Sequence, residues 1–310
     1  MHPIILILGP TAGGKTSLAI ALANELPGGG ECICADSMQV YTGMDIGTAK
    51  PTEQERLDAV HHLVDIANPS EDGFTVESWL THANAVIEDI RSRGKWPIVV
   101  GGTNLYIQSL LFGLFDGPDC DQEKRDELNA KENTELQERL RKLDPNAAER
   151  IHINDKRRLV RAIEVCEATG FPLSSLQSQW GKPMPREDAL IIGLDWPVKT
   201  INKRINARVK TMFNEGLLEE VEALKENLGM QASEALGYKQ ILAYLRGECT
   251  LEEARERIKI LTRRYAKQQR TWLRRFHVLP SAHFIEMDNI SMQHATEQAL
   301  TYILTGASLE

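Results

Sequence analysis

Residues 4–16 read IILILGPTAGGKT, and this stretch decides the fold class. Its first five residues are all apolar, as expected of a strand that is buried on both faces of a sheet. The next eight match the pattern GxxxxGK[ST], whose glycines allow backbone N–H groups to turn inward on a phosphate. A helix predicted from Ser17 directs its positive end at the same anion. We therefore predict a phosphate-loop α/β protein, and we call residues 9–16 the phosphate loop.

The composition is that of a folded chain and excludes several classes of protein. The 310 residues are 42% hydrophobic and 26% charged, without a low-complexity tract, which excludes a disordered or fibrous chain. The apolar run that ends at Leu8 is far shorter than the roughly 20 residues of a membrane span, and it lacks the cleavage site of a signal peptide. We expect the protein to be a monomer and to have no membrane partner. The five cysteines form no CxxC pair, which is typical of reduced thiols in a cytoplasmic protein.

A parallel sheet is predicted because strand and helix patterns alternate in the first part of the chain. Apolar runs at residues 32–35 and 98–100 predict strands, and an amphipathic pattern at residues 76–93 predicts a helix between them. A further strand is predicted at residues 190–194. Alternation of this kind favours a parallel α/β sheet.

Residues 114–188 contain helical patterns but no convincing strand pattern. One pattern covers residues 123–143, and a second begins at the predicted N-cap Asn154 and ends at Thr169. We predict that residues 114–188 form an all-helical insertion domain, and that a P-loop NTPase-like core comprises residues 1–113 and 189–310. The C-terminal part of that core is predicted to be helical at residues 201–214, 217–226, 232–246 and 251–275.

Polar residues at the ends of the predicted strands indicate transfer chemistry. Lys15 supplies a positive charge to phosphates, and the Thr16 hydroxyl suits Mg²⁺. Asp36 ends the second strand, at the edge where ligands bind in open α/β sheets, and is a candidate general base or Mg²⁺ partner. The strand at residues 98–100 ends in Gly-Gly-Thr, and Asp195 follows a strand that leads into Trp-Pro. Because neither offers a clear carboxylate for hydrolysis, the loop favours group transfer.

A strongly basic helix is predicted in a chain whose net charge is −8. Residues 255–275 carry nine Lys or Arg side chains and one Glu, a net charge of +8. Such a helix, with Tyr265 and Trp272 among its charges, indicates that a polyanion binds at one place. Arg204 and Arg208 lie four residues apart on one face of another predicted helix. Of these two we favour Arg208 for contact with a phosphate group.

Blocks of residues over nearly the whole chain resemble the tRNA dimethylallyltransferase family, and they occur in the order that the family has. The longest are ADSMQVY at residues 35–41 and GMDIGTAKP at residues 43–51, which follow the phosphate loop. The others lie at residues 61–65, 101–107, 154–161, 170–174, 235–239 and 262–272. The chain departs from the family pattern at Gly13, where serine is usual, at Asn104, where glycine is common, and at Gln268-Gln269, where the pattern is Arg-Gln. The C-terminal zinc-finger extension that eukaryotic relatives carry is not recognisable, so we expect a bacterial-type member.

The resemblance implies transfer of a dimethylallyl group from dimethylallyl diphosphate to N6 of the adenosine on the 3′ side of the anticodon in tRNA, with release of diphosphate and with Mg²⁺ as cofactor. The target base would be flipped into the site. Together with Arg208, the predicted catalytic residues are Lys15, Thr16 and Asp36, and Thr16 is the Mg²⁺ ligand. The predicted diphosphate-binding residues are Gly9, Pro10, Thr11, Ala12, Gly13, Gly14, Lys15 and Thr16.

The resemblance also implies a dispersed set of tRNA contacts, and it gives His61 a role at the site. The predicted tRNA-binding residues of the core are Asp36, Ser37, Met38, Gln39, Thr103, Gly237, Tyr238, Lys239, Lys267, Arg270 and Arg274. Those of the insertion are Arg125, Arg157, Arg158, Leu159, Val160 and Arg161. Phosphate contacts are expected to dominate the affinity and to make it depend on salt.

Three other functions remain open from the sequence. A small-molecule kinase would use the same loop for ATP, but it does not explain residues 36–51. An RNA-binding module without chemistry would not need Asp36 beside the loop. A prenyltransferase acting on free adenine nucleotides would need neither the helical insertion nor the basic residues 255–275.

Overall fold

A six-stranded parallel sheet forms the core of the described chain and confirms the predicted α/β class. The computed structural model describes residues 1–114, 117, 121–176 and 185–306. The strands are β1 (Ile4–Leu8), β2 (Gly30–Ala35), β3 (His61–His62), β4 (Trp96–Gly101), β5 (Ala189–Asp195) and β6 (Ala282–Glu286). Their order across the sheet is β3-β2-β4-β1-β5-β6, and every neighbouring pair is parallel. The phosphate loop therefore leaves a strand at the centre of the sheet.

The helices connect the strands and supply the insertion. Before the insertion lie α1 (Lys15–Glu25), α2 (Glu53–Asp58), α3 (Val76–Ser92) and α4 (Asn104–Phe112). The insertion contains α5 (Gln122–Ala130), α6 (Asn133–Leu143), α7 (Pro145–Arg150), α8 (Lys156–Thr169) and α9 (Leu173–Leu176). After it come α10 (Val198–Asn214), α11 (Leu217–Leu224), α12 (Met230–Ser233), α13 (Tyr238–Leu245), α14 (Leu251–Leu273) and α15 (Met292–Gly306).

Apolar packing holds α1, and with it the phosphate loop, against the sheet. Ile5 and Ile7 of β1 lie in one buried cluster with Leu18 and Leu22 of α1 and with Ile303 of α15. Each of these side chains is fully buried, and burial of one such side chain contributes roughly 1.5–3 kcal/mol. The loop between β1 and α1 is thus fixed at both of its ends.

The chain divides into two compact units. The first comprises Met1–Leu111 and Arg186–Glu310, and the second comprises Phe112–Pro185. Within the first unit the N–H of Arg186 donates to the carbonyl of Leu111 at 2.9 Å, so the two ends of the insertion leave the core side by side. The predicted boundaries at residues 114 and 188 fall close to these limits. The glycine and proline residues at 118 and 181–184, which lie between them, are outside the described residues.

The second unit has its own apolar core, and two details of its prediction are wrong. Leu128, Leu136 and Ile163 are fully buried in one cluster. The single helical pattern over residues 123–143 is two helices, because the chain is extended at Lys131 and restarts at α6. The N-cap of α8 is Asp155 rather than the predicted Asn154, since its side chain accepts the hydrogen bond from the N–H of Arg158.

The C-terminal half of the core contains elements that the sequence did not predict. Strand β6 pairs with β5 at the edge of the sheet, and α15 packs on α1. The helix predicted at residues 232–246 is interrupted, because Gly237 adopts a φ of +101° between α12 and α13. The basic helix predicted at residues 251–275 is α14, which ends at Leu273. Among the described residues no helix is long and apolar enough to cross a membrane.

Candidate functional site

A cavity of about 990 Å³ lies in the first unit, at the carboxyl edge of the sheet. The phosphate loop follows β1, Asp36 follows β2, and Gly101 and Gly102 lie at the end of β4; all of them line this cavity. Ligands of open α/β sheets bind at this edge, where neighbouring strand ends diverge. The remaining walls come from the segment between residues 45 and 65 and from helices α10 and α14.

Four carbonyl groups of the phosphate loop accept hydrogen bonds from side chains. Lys15 Nζ donates to the carbonyls of Gly9 and Pro10, each at 3.1 Å. Trp196 Nε1 donates to the carbonyl of Gly13 at 3.0 Å, and Arg204 Nε donates to that of Ala12 at 2.8 Å. Because helix α1 begins at Lys15, its first N–H groups have no helical acceptor. The loop therefore offers backbone N–H groups and a helix N-terminus to an anion.

The two cations predicted for this site are both partly buried beside the loop. Burial and the neighbouring Arg208 lower the pKa of Lys15 to about 8, while Asp36 acts in the opposite direction. Arg208 Nη1 donates to the hydroxyl of Thr11 at 3.4 Å, and burial lowers the pKa of its guanidinium. Two neighbouring cations in one pocket are suited to a multiply charged anion. Arg204 is exposed and stacks over the Trp196 ring at 4.6 Å, which agrees with the preference for Arg208.

Asp36 lies in a tight turn at the end of β2. Its Oδ1 accepts a hydrogen bond from the N–H of Met38 at 2.9 Å, which fixes the orientation of the carboxyl group. The N–H of Ser37 donates to Thr103 Oγ1 at 2.9 Å, and the Thr103 hydroxyl lies 3.3 Å from that of Ser37. The fold thus brings the predicted residues Asp36, Ser37 and Thr103 together.

Gln39 and Met38, also predicted as tRNA contacts, make contacts within the protein. The Gln39 amide donates to the carbonyls of Thr48 and Ala49 at 3.1 and 3.0 Å, and its Oε1 accepts from the Cys34 thiol at 3.1 Å. The Met38 side chain packs against the apolar cluster of the core. In this structure both side chains support the wall of the cavity.

His61 lines the cavity as a neutral group. Its Nδ1 lies 2.8 Å from the carbonyl of Ala59, and burial lowers the pKa of the imidazole. Its buried Nε2 has no hydrogen-bond partner among the described residues. On the same wall Lys50 is almost fully buried, and its Nζ is 2.6 Å from both Asp45 and Asp65.

The predicted tRNA-binding residues of α13 and α14 separate into exposed and buried groups. Lys239, Lys267 and Arg274 are exposed, and Arg270 is half-buried. The prediction for Tyr238 is wrong for its side chain, because the ring is fully buried and its hydroxyl donates to Glu220 at 2.5 Å. Gly237, the residue before it, provides the positive φ at which α13 begins.

The predicted residues of the insertion separate in the same way. Arg157 and Arg158 are exposed on α8, and Arg161 of the same helix is partly exposed. Leu159 and Val160 are 0% and 3% exposed in the apolar core, so their predicted contact with tRNA is wrong for the side chains. Arg125 makes a two-pronged ion pair with the buried Glu164, at 2.7 and 2.8 Å. This pair joins α5 to α8 and orients Arg125.

Three residues that hold the cavity wall were not predicted from the sequence, and of these Gln269 itself lines the cavity. Trp196 holds the phosphate loop, as described above. Glu220 accepts hydrogen bonds from the N–H groups of Asp45, Ile46 and Gly47, at 2.7 to 3.0 Å. Gln269 is 2% exposed and binds the N–H of Thr11. A signal for Gln269 was present, since it shares the buried face of α14 with Ala266 and Leu273, at helical spacing.

Mg²⁺ fits this site only with ligands that a bound anion supplies. Thr16 and Asp36 contribute a hydroxyl and a carboxylate to the cavity, and these are hard oxygen donors. No group of three or more His, Cys, Asp or Glu side chains that could hold a metal occurs in the described part of the chain. Mg²⁺ commonly binds through few protein ligands together with phosphate oxygens and water. The residues present are compatible with that arrangement.

The fold and the site define a phosphate-loop protein built for group transfer, with an anion site on β1 and a carboxylate on the neighbouring turn. Comparison with known proteins gives the family. The family model described as IPP transferase matches residues 39–276, and that described as isopentenyl transferase matches residues 2–68. The chain belongs to the tRNA dimethylallyltransferase family, which confirms the resemblance seen in the sequence.

Relatives and solved structures agree over most of the chain. A "tRNA dimethylallyltransferase 2" of Geotalea uraniireducens is 48% identical over 87% of this chain and 88% of its own length. A "tRNA dimethylallyltransferase" of Acetivibrio thermocellus is 44% identical over 98% of both. The tRNA isopentenylpyrophosphate transferase structure from Staphylococcus epidermidis has a TM-score of 0.71 at 37% identity, covering 98% of this chain and 99% of that one. A structure titled as a eukaryotic dimethylallyltransferase acting on tRNA has a TM-score of 0.81 at 29% identity, over 98% and 80%. These neighbours confirm the P-loop NTPase-like fold.

Proposed function

We propose that this protein transfers a dimethylallyl group from dimethylallyl diphosphate to N6 of the adenosine on the 3′ side of the anticodon in tRNA, and releases diphosphate. One observation carries the proposal: Lys15 and Asp36, an anion-binding cation and a candidate base, line the same cavity. Family membership supports the choice of substrates, since the relatives are named as tRNA dimethylallyltransferases.

The phosphate loop serves the leaving group. As the allylic C–O bond breaks, its electron pair stays on the diphosphate, and negative charge grows on the bridging oxygen. Lys15, Arg208 and the backbone N–H groups of the loop stabilise that charge, and they are already in place before the reaction. When bound, Mg²⁺ would neutralise further charge on the diphosphate, with Thr16 as its protein ligand.

Asp36 serves the acceptor. The exocyclic amine of adenine is a weak nucleophile, and it must lose a proton as its lone pair forms the new C–N bond. Asp36 accepts that proton through Oδ2, because Oδ1 is held by the N–H of Met38. A base stacked in an RNA helix cannot reach this pocket, so the adenosine enters flipped out of the stack. Ser37 and Thr103 are hydrogen-bonded to each other beside Asp36 in the turn, and they bind the edge of the base.

Exposed cations that do not line the cavity hold the tRNA backbone. Lys267 on α14, Arg274 directly after it, and Arg157 and Arg158 on α8 are exposed and suited to phosphate contacts. We further propose that the protein works in the cytoplasm as a monomer. Cys32, Cys34, Cys166 and Cys249 are free thiols, as expected in a reducing compartment.

The direct test is transfer of label from radioactive dimethylallyl diphosphate to unmodified tRNA with Mg²⁺, followed by nucleoside analysis. We expect label in an N6-prenylated adenosine next to the anticodon. Label on AMP or ATP instead of tRNA would make the protein an enzyme of free nucleotides, and consumption of ATP without transfer would make it a kinase.

Substitution of the proposed general base, Asp36, tests the mechanism. Asp36→Asn keeps an oxygen that can accept from the N–H of Met38, so we expect tRNA retention on filters to be unchanged. The single-turnover rate should fall by about 10²- to 10⁴-fold, the usual contribution of a general base. Asp58→Asn, at an exposed position on α2, is the matched control. An Asp36→Asn protein with the wild-type rate would exclude Asp36 as the base.

A further inference from the structure

Gln269, which is buried in the core, forms hydrogen bonds both to the phosphate loop and to the turn that follows β4. Its Oε1 accepts a hydrogen bond from the N–H of Thr11 in the phosphate loop at 2.8 Å. Its Nε2 donates to the carbonyl of Gly102, just after β4, at 3.1 Å. A single side chain amide of α14 therefore joins the loop that follows β1 to the turn that follows β4.

The second of these bonds continues to the turn that carries Asp36. Thr103, the residue after Gly102, donates its N–H to the carbonyl of Ala35 at 3.1 Å. Its hydroxyl oxygen accepts from the N–H of Ser37. Asp36 lies between these two attachment points. One hydrogen bond therefore links Gln269 to the phosphate loop. A chain of two hydrogen bonds, through Gly102 and Thr103, links it to the backbone on either side of Asp36.

The amide of Gln269 is packed closely against Gly102. A methyl group placed on Gly102 would lie 2.2 Å from Gln269 Nε2. The Tyr265 hydroxyl, one turn earlier on α14, donates to the same carbonyl of Gly102 at 3.0 Å. Two side chains of one helix therefore fix the end of β4, and one of them also fixes the phosphate loop.

We propose that Gln269 is a positioning residue that sets the separation between the departing diphosphate and the base Asp36. This inference rests on the proposed function. The reacting carbon must lie between the diphosphate on the loop and the amine whose proton Asp36 takes. Because a misplacement of about 1 Å can reduce a rate by roughly 100-fold, the length of this bridge sets the rate. The neighbouring Gln268 is exposed on the same helix and makes no such bridge.

The test compares Gln269→Met, which removes both hydrogen bonds at similar size, with the matched control Gln268→Met. Three quantities are measured: the dissociation constant of inorganic diphosphate with Mg²⁺, the single-turnover rate per tRNA-bound enzyme, and tRNA retention. For Gln269→Met we expect a rate about 100-fold lower and a dissociation constant raised at least fivefold, with tRNA retention within twofold of wild type. Gln268→Met should leave the dissociation constant of diphosphate and the single-turnover rate at their wild-type values.

A second variant, Gly102→Ala, keeps Gln269 but pushes its amide aside, and the rate should fall in the same way. A role in folding alone would lower the amount of tRNA-binding protein without changing the rate per bound complex. The proposal is overturned if Gln269→Met keeps both the rate and the diphosphate constant within twofold of wild type, or if its loss of rate is matched by an equal loss of tRNA retention. Failure of the wild type to prenylate tRNA would refute the proposed function instead, and the diphosphate measurement would remain valid.

Discussion

Glu220 gives the sharpest prediction about stability, because one carboxylate holds a whole turn of the cavity wall. It accepts from the N–H groups of Asp45, Ile46 and Gly47, and from the Tyr238 hydroxyl. Burial and the Glu220 carboxylate raise the pKa of the Tyr238 phenol well above its usual value, so that this group stays a donor. Glu220→Ala removes the acceptor for all four donors, while the ion pair of Lys50 with Asp45 remains.

The loss of stability in Glu220→Ala depends on how exposed those donors are. A hydrogen bond to a charged group contributes about 1.5–3 kcal/mol, and the N–H of Asp45 is exposed enough for water to replace the lost acceptor. The N–H groups of Ile46 and Gly47 are partly buried, and we count these two. We therefore expect Glu220→Ala to lower the free energy of unfolding by about 3–6 kcal/mol from these two bonds alone, without counting the Tyr238 hydroxyl. Glu219→Ala, at the exposed neighbouring position, should lower it by less than about 0.5 kcal/mol.

Urea unfolding followed by tryptophan fluorescence measures the difference. Four of the five tryptophans lie in the first unit, so the signal reports the unit that contains Glu220. With a slope of about 3 kcal/mol per molar urea, the midpoint should fall by about 1 M or more. A shift no larger than that of Glu219→Ala would refute the claim that this carboxylate holds the turn.

Two further predictions concern binding. Because burial and Arg208 lower the pKa of Lys15 to about 8, its ammonium is present below that pH and lost above it. The dissociation constant of the prenyl diphosphate should therefore rise as the pH increases through 8, and Lys15→Arg should remove that rise; a flat wild-type profile would contradict it. Lys267→Ala and Arg274→Ala should each reduce the slope of log affinity for tRNA against log salt by about 0.7–0.9, as expected for one lost phosphate contact. Lys225→Ala, an exposed lysine on another element, should leave the slope unchanged.

The centre of the fold could be predicted because its signals are local. β1, the phosphate loop and α1 follow from one apolar run and one motif, within 25 residues of the N-terminus. β6 could not be predicted in this way, because it is an edge strand in which only Ile285 is fully buried. Its pairing with β5 is a contact between distant parts of the chain, and no pattern within residues 282–286 encodes it.

The site was predicted where function depends on residue type and missed where it depends on distant contacts. Lys15 and Asp36 lie where their motifs indicated. Gln269 was noted only within a departure from the family pattern, whereas its role comes from Thr11, 258 positions away. The opposite error was made at Leu159 and Val160, because a family block includes the apolar residues that support its exposed arginines.

The position of the insertion has a consequence for how the protein is made. β1 pairs with β4 on one side and with β5 on the other, and β5 follows the insertion in the chain. On the ribosome, one edge of the most buried strand therefore stays open while residues 112–185 are synthesised. Unpaired apolar edges of this kind are prone to aggregate, and parallel pairing over long separations is slow. Until residues 189–195 emerge, the nascent core therefore exposes this apolar edge, whereas the insertion has its own apolar core and can fold earlier.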